Sequence, residues 1–567
     1  MKRRSFLTTL SAGGTGIFLA SPALAKNERN IHAKVSSQLT ADVVIIGGGM
    51  GACAAALAAC RNGLHVIMTE ETDWIGGQAT QQGVPPDEHR WIETHGAPAS
   101  YREFRNRIRS YYKRNYPVTE EAKNRENLNP GDGWVSWICH EPVVGLAVLY
   151  EMLAPYLSSG KLKILLEYKV AKADTDRDRI RSVEVCHSAG GNSIVLLAPY
   201  FIDATECGDL LPLSGTEYVT GTESGQQTGE LHAPEKANPL NNQSFTLCFA
   251  MEYQAGANHV IDRPASYDFW KSYKPVMTPP WSGRLLDLKY SVHGSDQPKD
   301  IGFDPTGKST GKLPNLWTYR RILNKNNFVP GFYGSDITIV NWPQNDFFGG
   351  NLIDVGPAEF NKHVESARGL NLSLLYWLQT EAPRPDGGTG WPGLRLRGDV
   401  LGTLDGMAKY PYIRESRRIK AVFTVLEEHV GQENRILAAG EAEGKKAASF
   451  FDSVGIGYYT LDLHPSCAGS NGFYMPSLPF QIPLGALLPQ RMNNLLPACK
   501  NIGTTHITNG CYREHPVEWS IGEAAGMLVA FAMKCGVPPR AVREKENLLK
   551  DFQKLICSQG LETNWPA

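Results

Sequence analysis

The chain has 567 residues, of which 42% are apolar and 20% charged, ordinary values for a globular protein with more than one domain. Its 57 basic and 58 acidic side chains nearly cancel, which leaves a formal net charge of −1. Proteins that bind nucleic acid or acidic membranes present an excess of basic side chains, so neither partner is expected. The eleven cysteines include no C-x-x-C pair, and no metal site is predicted.

The first 25 residues have the composition of an export signal. The basic start Lys2-Arg3-Arg4 precedes an apolar run at 10–24, and Ala23-Leu24-Ala25 matches an A-x-A cleavage site. The paired arginines favour a twin-arginine signal over an ordinary secretory signal, so the twin-arginine machinery is an expected partner. We expect a mature protein, starting near Lys26, that is periplasmic or secreted. No later apolar run reaches the roughly 18 residues of a membrane span, so an integral membrane protein is not expected.

A glycine-rich turn follows a polar linker predicted at 26–40. Residues 43–46 predict a short buried strand, and the alanine-rich stretch after Met50 predicts a helix. A strand, a glycine turn and a helix N-terminus together form the unit that binds the diphosphate of a dinucleotide. Gly47 would permit the tight turn, Gly49 would let the diphosphate approach the backbone, and Ala52 would allow close packing of helix and strand.

A second strand completes this unit. Residues 64–69 predict the strand, and Glu70 follows it at the position where a carboxylate accepts the ribose hydroxyls of the nucleotide. The same negative charge disfavours a ribose 2′-phosphate, so the residues predict FAD or NAD rather than NADP. The alternative is an ordinary glycine turn in a parallel sheet, but here the strand, helix, second strand and acid all occur in register.

Periodicity and turn residues predict the elements in the rest of the chain. In the first half we expect helices at 101–112 and 141–157, strands at 162–170, 180–187 and 193–202, and a hairpin turn at 188–192. Further on we expect helices near 358–380 and 416–428, a strand at 492–498, a loop at 501–506 and a helix at 516–534.

Composition divides these elements between two domains. Residues 241–455 are rich in Trp, Tyr, Pro and Asn, which predicts a separate domain that covers the substrate. The segments 41–240 and 456–540 are predicted to form one discontinuous dinucleotide-binding domain, and 541–567 a C-terminal tail.

Five segments together resemble the FAD-dependent oxidoreductase family, which is related to the flavoprotein subunits of fumarate reductase and succinate dehydrogenase. They are GGGMGA, ETDWIGGQ, DATECGDLLPLSGTE, YIRESRR and NIGTTHITNGCYREHPVEWSIGEAAG, and the similarity runs from about residue 41 to 535. The resemblance implies an α/β fold of the two-dinucleotide-binding-domain flavoprotein type, with a Rossmann-like FAD-binding domain and an inserted substrate domain. It also implies tightly bound FAD and a redox reaction. The histidine tripeptide that carries covalent flavin in succinate dehydrogenase is not evident.

The resemblance further implies which residues hold the cofactor. The diphosphate would lie on the glycine turn, the ribose on the acid, and the flavin beside the loop after the second strand and the terminal motif. The implied FAD-binding residues are Gly47, Gly49, Gly51, Ala52, Glu70, Gly76, Gly77, Gln78, Asp203, Ala204, Thr205, Asp209, Asn501, Ile502, Gly503, Glu518 and Ala524.

The segment 506–515 precedes the last long helix, and we expect it to be a loop that borders the flavin. Transfer of a hydride to FAD requires a base for the substrate proton, and His506 or His515 is a suitable residue type. Arg513 would hold a substrate carboxylate or a developing oxyanion in a bidentate contact. The alternatives are structural: His515 would cap the helix, and Arg513 would pair with Glu514 or Glu518.

A second basic cluster contains Arg414, Arg417 and Arg418. On a helix that starts near Ile413 these side chains would share one face, because they are three and four positions apart, and they would clamp an anionic substrate. The alternative is a charged helix face in solvent. Arg414 therefore joins His506, Arg513 and His515 as a predicted catalytic residue.

We therefore expect an exported FAD-dependent dehydrogenase or oxidase that takes a hydride from a small polar or carbohydrate-like substrate. The chain has no second glycine fingerprint for a nicotinamide domain, so the electrons would leave to oxygen, a quinone or a carrier protein. The alternatives are a flavin-dependent reductase of an unsaturated acid, a non-redox FAD isomerase or hydratase, and a glycan-binding protein.

Overall fold

The computed structural model, which describes residues 34–291, 297–308, 311–312 and 314–566, contains a five-stranded parallel sheet. The predicted export signal at 1–25 lies outside these ranges. Every residue of the strand Val43–Ile46 is buried, as expected for a parallel strand that is covered on both faces. From one edge to the other the strands are Leu495–Pro497, Tyr200–Asp203, Val43–Ile46, Val66–Glu70 and Leu162–Leu166.

Two helices pack against each other beside this sheet: the glycine-loop helix Met50–Arg61 and the terminal helix His515–Cys535. Glycines make the close approach possible. A Cβ on Gly522 would collide with the carbonyl oxygen of Gly51, and a Cβ on Gly526 would collide with that of Ala55. Small residues at this contact therefore hold the N-terminus of the glycine-loop helix close to the terminal helix.

A second sheet lies against the parallel sheet. Its order is Lys34–Thr40, Asn192–Leu197, Arg179–His187 and Tyr168–Asp176, and the last three strands are antiparallel neighbours, which confirms the predicted hairpin. Buried side chains of the two sheets, Val44 and Leu196 among them, share one apolar cluster. Residues 34–40 are part of the predicted linker, but they pair with 192–197 in parallel, because backbone pairing to an open sheet edge needs no strong side-chain pattern.

The region 241–455 contains an antiparallel sheet and a long helix. The strands, in order, are Arg321–Leu323, Ile337–Val340, Phe249–Tyr253 and Leu394–Leu396. The helix Pro357–Thr380 confirms the prediction at 358–380. The helix predicted at 416–428 is wrong: the segment holds only the strand Arg418–Ile419 and the start of the short helix Glu427–Val430. The domain limits predicted from composition remain a prediction.

Further elements complete the described part of the chain, in which no helix is both long and apolar enough to cross a bilayer. The other α-helices are Ala99–Asn115, Glu120–Asn124, Pro142–Ser158, Leu210–Leu213, Gly225–Thr228, Tyr267–Ser272, Leu316–Tyr319, Gln432–Glu443, His506–Tyr512, Pro539–Glu544 and Glu546–Ser558. The two-stranded pairs are Tyr218–Val219 with Arg418–Ile419, Phe245–Thr246 with Asp346–Phe347, Lys289–Ser291 with Pro298–Asp300, Ser453–Gly457 with Phe480–Pro483, and Leu461–Leu463 with Phe473–Met475.

Candidate functional site

The glycine turn lies at the carboxyl end of Val43–Ile46, where parallel α/β sheets bind ligands. Gly47 has a φ of +99°, and a Cβ there would collide with the carbonyl oxygen of Ala204. Gly49 is the N-cap of the glycine-loop helix, and a Cβ there would lie 2.9 Å from Oε1 of Glu206. Backbone N–H groups at a helix N-terminus attract anions, and here the Gly48 and Gly51 N–H groups donate to the Glu70 and Glu518 carboxylates. The turn therefore has the backbone of a diphosphate cradle.

Glu70 lies directly beside this turn. Its Oε2 accepts a hydrogen bond from the Gly48 N–H at 3.0 Å, and its Oε1 accepts from the Thr72 N–H at 2.8 Å and from Gln81 Nε2 at 3.0 Å. Burial, together with the neighbouring Glu71 carboxylate, raises the pKa of Glu70 to about 8. Because a carboxylate oxygen has two lone pairs, Oε2 retains one for a ribose hydroxyl.

The loop after the second strand folds over the turn. Gly76 and Gly77 both have positive φ, and Gln78 donates through Nε2 to the Arg513 carbonyl at 2.9 Å and to Glu518 Oε2 at 2.5 Å. Several buried polar atoms here have no hydrogen-bond partner among the described residues. They are Gln78 Oε1, Gln81 Oε1, Gln82 Oε1 and Nε2, and Glu206 Oε1. Buried polar atoms are normally paired, so this group fits the approach of a polar cofactor.

The second predicted cofactor segment, at 203–209, forms the opposite wall of the cleft. Thr205 donates through both N–H and Oγ1 to Asp203 Oδ1, at 3.0 and 2.8 Å, and the Asp209 N–H donates to Thr205 Oγ1 at 2.6 Å. Burial raises the pKa of Asp203 to about 7. Ala204, Thr205 and Asp209 line the same cleft as the glycine turn and Glu70.

The terminal segment supports this cleft from behind. Asn501 Nδ2 donates to the Asp203 carbonyl at 3.0 Å, and Glu518 Oε1 accepts from the Gly51 N–H at 3.4 Å. Ala52, Ile502, Gly503 and Ala524 are buried but do not line the cleft. Sequence reasoning missed Lys500, a buried cation whose Nζ lies 2.5 Å from Glu206 Oε2 and 3.9 Å from Glu518 Oε2.

A second cavity of about 360 Å³ is lined by residues of the region 241–455 and of the segments on either side of it. Asp87, which follows the loop over the glycine turn, forms part of its wall, and so does Arg513, whose carbonyl accepts from Gln78. These contacts place the cavity beside the loop that covers the glycine turn. Its charged and amide side chains are Asp87, Lys299, Arg320, Asn341, Arg414, Asp462, His464 and Arg513.

Two of the predicted catalytic arginines line this cavity. Arg414 Nη2 lies 3.0 Å from Asp346 Oδ1, and its Nη1 donates to the Ser244 carbonyl at 2.8 Å. Arg513 Nη1 lies 2.9 Å from Glu514 Oε1 and donates to the Tyr412 hydroxyl at 2.6 Å. The helix predicted from Ile413 is wrong, because each arginine of that cluster is buried and extends to a different acceptor.

His464 also lines the cavity, and Asp346 orients it. His464 Nδ1 lies 2.7 Å from Asp346 Oδ2, and Asp346 in turn contacts Arg414 and the Thr246 hydroxyl, which donates to it at 2.6 Å. Burial alone would raise the pKa of Asp346, but the Arg414 and His464 charges outweigh it and hold that pKa below its ordinary value. The carboxylate therefore stays ionised and fixes the imidazole.

The two predicted catalytic histidines lie elsewhere. The segment predicted as a loop is the helix His506–Tyr512, which Thr505 caps by accepting from the Thr508 N–H at 3.2 Å. His506 lines a different cavity, of about 380 Å³, and its Nδ1 lies 2.9 Å from Glu415 Oε2. Arg418 pairs with that same carboxylate.

His515 is buried next to Asp87, which forms part of the wall of the 360 Å³ cavity. Its Nδ1 accepts from the Asp87 N–H at 3.3 Å, and burial lowers its pKa to about 3. Glu514 is equally buried, and burial raises its pKa to about 8 despite the attraction of Arg513. His515 therefore remains neutral at ordinary pH.

Sequence reasoning missed Asp87, Arg320, Asp346 and His464. The motif Asp462-Leu463-His464 carries one signal, since alternate residues of an extended segment face the same side, and both polar side chains line the cavity at the end of the strand Leu461–Leu463. Asp346 is 118 residues from His464, and no pattern in the sequence joins them.

Comparisons with known proteins place the chain among flavoproteins. Residues 42–556 match the family described as FAD dependent oxidoreductase. The comparison with curated protein sequences returned no match.

Three solved structures illustrate the similarity. L-proline dehydrogenase from P. horikoshii is 18% identical with a TM-score of 0.18, over 34% of this chain and 25% of its own, so the chain spans about a quarter of that relative. Mycobacterium smegmatis Sdh1 is 11% identical with a TM-score of 0.30, over 92% and 72% of the two chains. E. coli quinol fumarate reductase FrdA is 11% identical with a TM-score of 0.31, over 92% and 74%.

The family match covers most of the chain, and the parallel sheet with its glycine turn confirms the predicted α/β class. The roles predicted for single site residues remain predictions. The chain belongs to the FAD dependent oxidoreductase family, whose members are FAD-containing oxidoreductases.

Proposed function

We propose that this FAD-dependent oxidoreductase oxidises a small polar or carbohydrate-like substrate in the cavity that His464 lines. FAD supplies the hydride acceptor. The residues present fit this cofactor: Gly49 brings no Cβ to a helix N-terminus, Glu70 has a free lone pair, and several buried amides of the covering loop have no partner among the described residues.

The His464–Asp346 pair is the single observation that carries the proposal. A general base must reach the substrate, and a second group must hold the base in its productive orientation. His464 lines the cavity, Asp346 contacts its Nδ1, and Nε2, which lies 3.5 Å from Asp462 Oδ2, is the ring atom that we propose as the base. His506 also has a carboxylate partner, but it lies in the other cavity.

His464 would take the hydroxyl proton as the carbonyl group forms, and FAD, when bound, would supply the acceptor for the hydride that the neighbouring carbon loses. Arg414 and Arg513 line the same cavity and stabilise negative charge on the substrate oxygen as the proton leaves. Asp346 stabilises the imidazolium, because its carboxylate remains ionised.

Anaerobic mixing with a library of alcohols and sugars tests this proposal through bleaching of the flavin absorbance. We expect His464→Asn to slow bleaching by about 10²–10⁴-fold, the usual contribution of a positioned base, with the FAD content unchanged. His506→Asn is the matched control, since it removes a histidine that is also paired with a carboxylate. Equal rates for both variants, or a flavin that stays oxidised with every compound, would contradict the proposal.

Reduction of an unsaturated acid in the same cavity is the alternative proposal. For oxidation, the electrons would leave to oxygen, a quinone or a carrier protein. Rapid mixing of the reduced enzyme with fumarate-like compounds and with oxygen separates the two. Reoxidation only by the unsaturated acids would favour the alternative and contradict the proposed oxidation.

We also propose that the enzyme is exported through the twin-arginine pathway. The support is the sequence alone: paired arginines, an apolar run and an A-x-A site. Replacing both Arg3 and Arg4 with Lys should retain the uncleaved protein inside the cell. Unchanged cleavage and export of that variant would refute this route.

A further inference from the structure

Arg320 lines the cavity, and within the described part of the chain no hydrogen bond reaches its charged group. It follows the helix Leu316–Tyr319, is only 8% exposed, and lines the cavity. No hydrogen bond joins its guanidinium to any residue that the structure describes, and Nε and Nη1 are buried without an acceptor. Its ion-pair contact, between Nη1 and Asp87 Oδ2, is 3.6 Å long, which exceeds hydrogen-bond distance.

The other two arginines of the cavity differ in this respect. Arg414 donates to Ser244, Thr246 and Asn341, and Arg513 donates to Tyr412 and Asp462. Their guanidinium groups are therefore fixed by the protein.

The cavity wall around Arg320 presents hydrogen-bond donors. A guanidinium has five N–H donors and no acceptor, and it is charged at every working pH. Asn341 Nδ2 and Trp342 Nε1, on residues of the same cavity, are further buried donors without a partner in the described chain. Lys299 adds a further cation to the lining, beside the three arginines. A neutral hydroxyl can accept a hydrogen bond from this wall but does not balance its positive charge. A carboxylate accepts two parallel hydrogen bonds from a guanidinium and balances the charge as well.

We propose that Arg320 binds a carboxylate of the substrate in a bidentate contact, so that the substrate class is a hydroxy acid or sugar acid. The inference rests on the proposed function, since it assigns the substrate of the same cavity. Arg320 is then a specificity-determining residue: it anchors the acid group, while the oxidisable carbon lies toward His464 and the cofactor.

Matched pairs of compounds test the substrate class. The pairs are D-glucuronate with D-glucose, D-galacturonate with D-galactose, D-gluconate with D-sorbitol, and L-lactate with propane-1,2-diol. We expect the acid member of at least one pair to bleach the flavin anaerobically, and its neutral partner to do so at least about tenfold more slowly.

A binding measurement separates recognition from turnover. Calorimetric titration of the oxidised holoenzyme uses oxalate and propionate, which carry carboxylates but no oxidisable hydroxyl, with propionamide as the neutral comparison. We expect Arg320→Gln to weaken carboxylate binding by about 10- to 150-fold, the range for hydrogen bonds to charged groups, and to leave FAD content unchanged. Arg320→Lys should be intermediate, because it keeps the charge and loses the planar fork.

Arg384→Gln is the matched control. Arg384 also has a buried Nε without a partner in the described chain, but it does not line the cavity and it pairs with Asp386. This variant should bind carboxylates as the parent does.

The outcomes distinguish the inference from the proposed function. Bleaching by neutral compounds as fast as by acids would overturn the inference and leave the function standing. Carboxylate binding that depends on Arg320, in an enzyme that no compound bleaches, would support the inference and refute the function. Binding and bleaching that do not depend on Arg320, or loss of FAD in Arg320→Gln, would overturn the inference.

Discussion

Gly49 offers the sharpest test of the cofactor site at the level of one residue. Its φ of −64° suits any L-residue, yet a Cβ would occupy the space above the helix N-terminus, 2.9 Å from Glu206 Oε1. We expect Gly49→Ala to fold and to weaken FAD binding by at least about tenfold, because the backbone must approach the diphosphate closely. Titration of the apoprotein with FAD, followed by flavin fluorescence, measures this change. Gly356→Ala, with open space around the added Cβ, should bind FAD as the parent does; equal affinity in both variants would argue against the site.

Glu514 makes the stability depend on pH in a defined direction. Burial raises its folded-state pKa from 4.5 to about 8, with Arg513 opposing the shift. The folded protein thus favours the protonated form, and the associated stability is complete below about pH 4.5 and is lost as the pH rises through about 8. Each pKa unit corresponds to about 1.4 kcal/mol, so Glu514→Gln should gain unfolding free energy relative to the parent between pH 5 and 9.

Chemical denaturation at several pH values measures this difference, and the exposed Glu443→Gln is the control. A constant difference between Glu514→Gln and the parent across the pH range would show that the carboxylate is not held in its protonated form.

Single residues also show what sequence reasoning finds and misses. Gly47, Gly49 and Glu70 were predictable because the turn and the two strands around it are close in the sequence. For each of these positions one physical requirement selects the residue type. Arg320 and His464 were not, because their importance comes from a cavity that distant segments enclose. His506 was predicted from its residue type near the terminal helix, and only the fold places it in another cavity.

At the level of elements, the contact between the glycine-loop helix and the terminal helix is the most constrained. A Cβ on Gly526 would collide with the Ala55 carbonyl. We expect Gly526→Ala to destabilise the protein by about 1–3 kcal/mol, the usual cost of overpacking. In a helix without this contact, the same change stabilises by about 0.5–1 kcal/mol. Denaturant unfolding distinguishes the two cases by the sign of the change in unfolding free energy. An increase would contradict the close packing of the two helices.

The elements that were predicted correctly share a local cause. The helix Pro357–Thr380 has proline in its first turn and a long periodic pattern. The helix predicted from Ile413 failed because the burial of Arg414, Arg417 and Arg418 against separate acceptors overrides their helical spacing. Residues 34–40 became a strand because a sheet edge was available.

At the level of the whole molecule, the family and the cofactor follow from motifs spread over most of the chain, whereas the substrate depends on one cavity. The chain returns to its first sheet through Leu495–Pro497, so the terminal helix reaches the glycine-loop helix. That return could be anticipated from the terminal motif. The shape and charge of the cavity could not, because they depend on how the inserted region closes over the sheet.

The absorbance spectrum of the purified full chain, followed by anaerobic addition of the hydroxy and sugar acids, tests the central claim most directly. We predict a yellow protein with one FAD per chain that loses its flavin absorbance with at least one acid. A colourless protein that takes up no FAD on reconstitution would contradict the account.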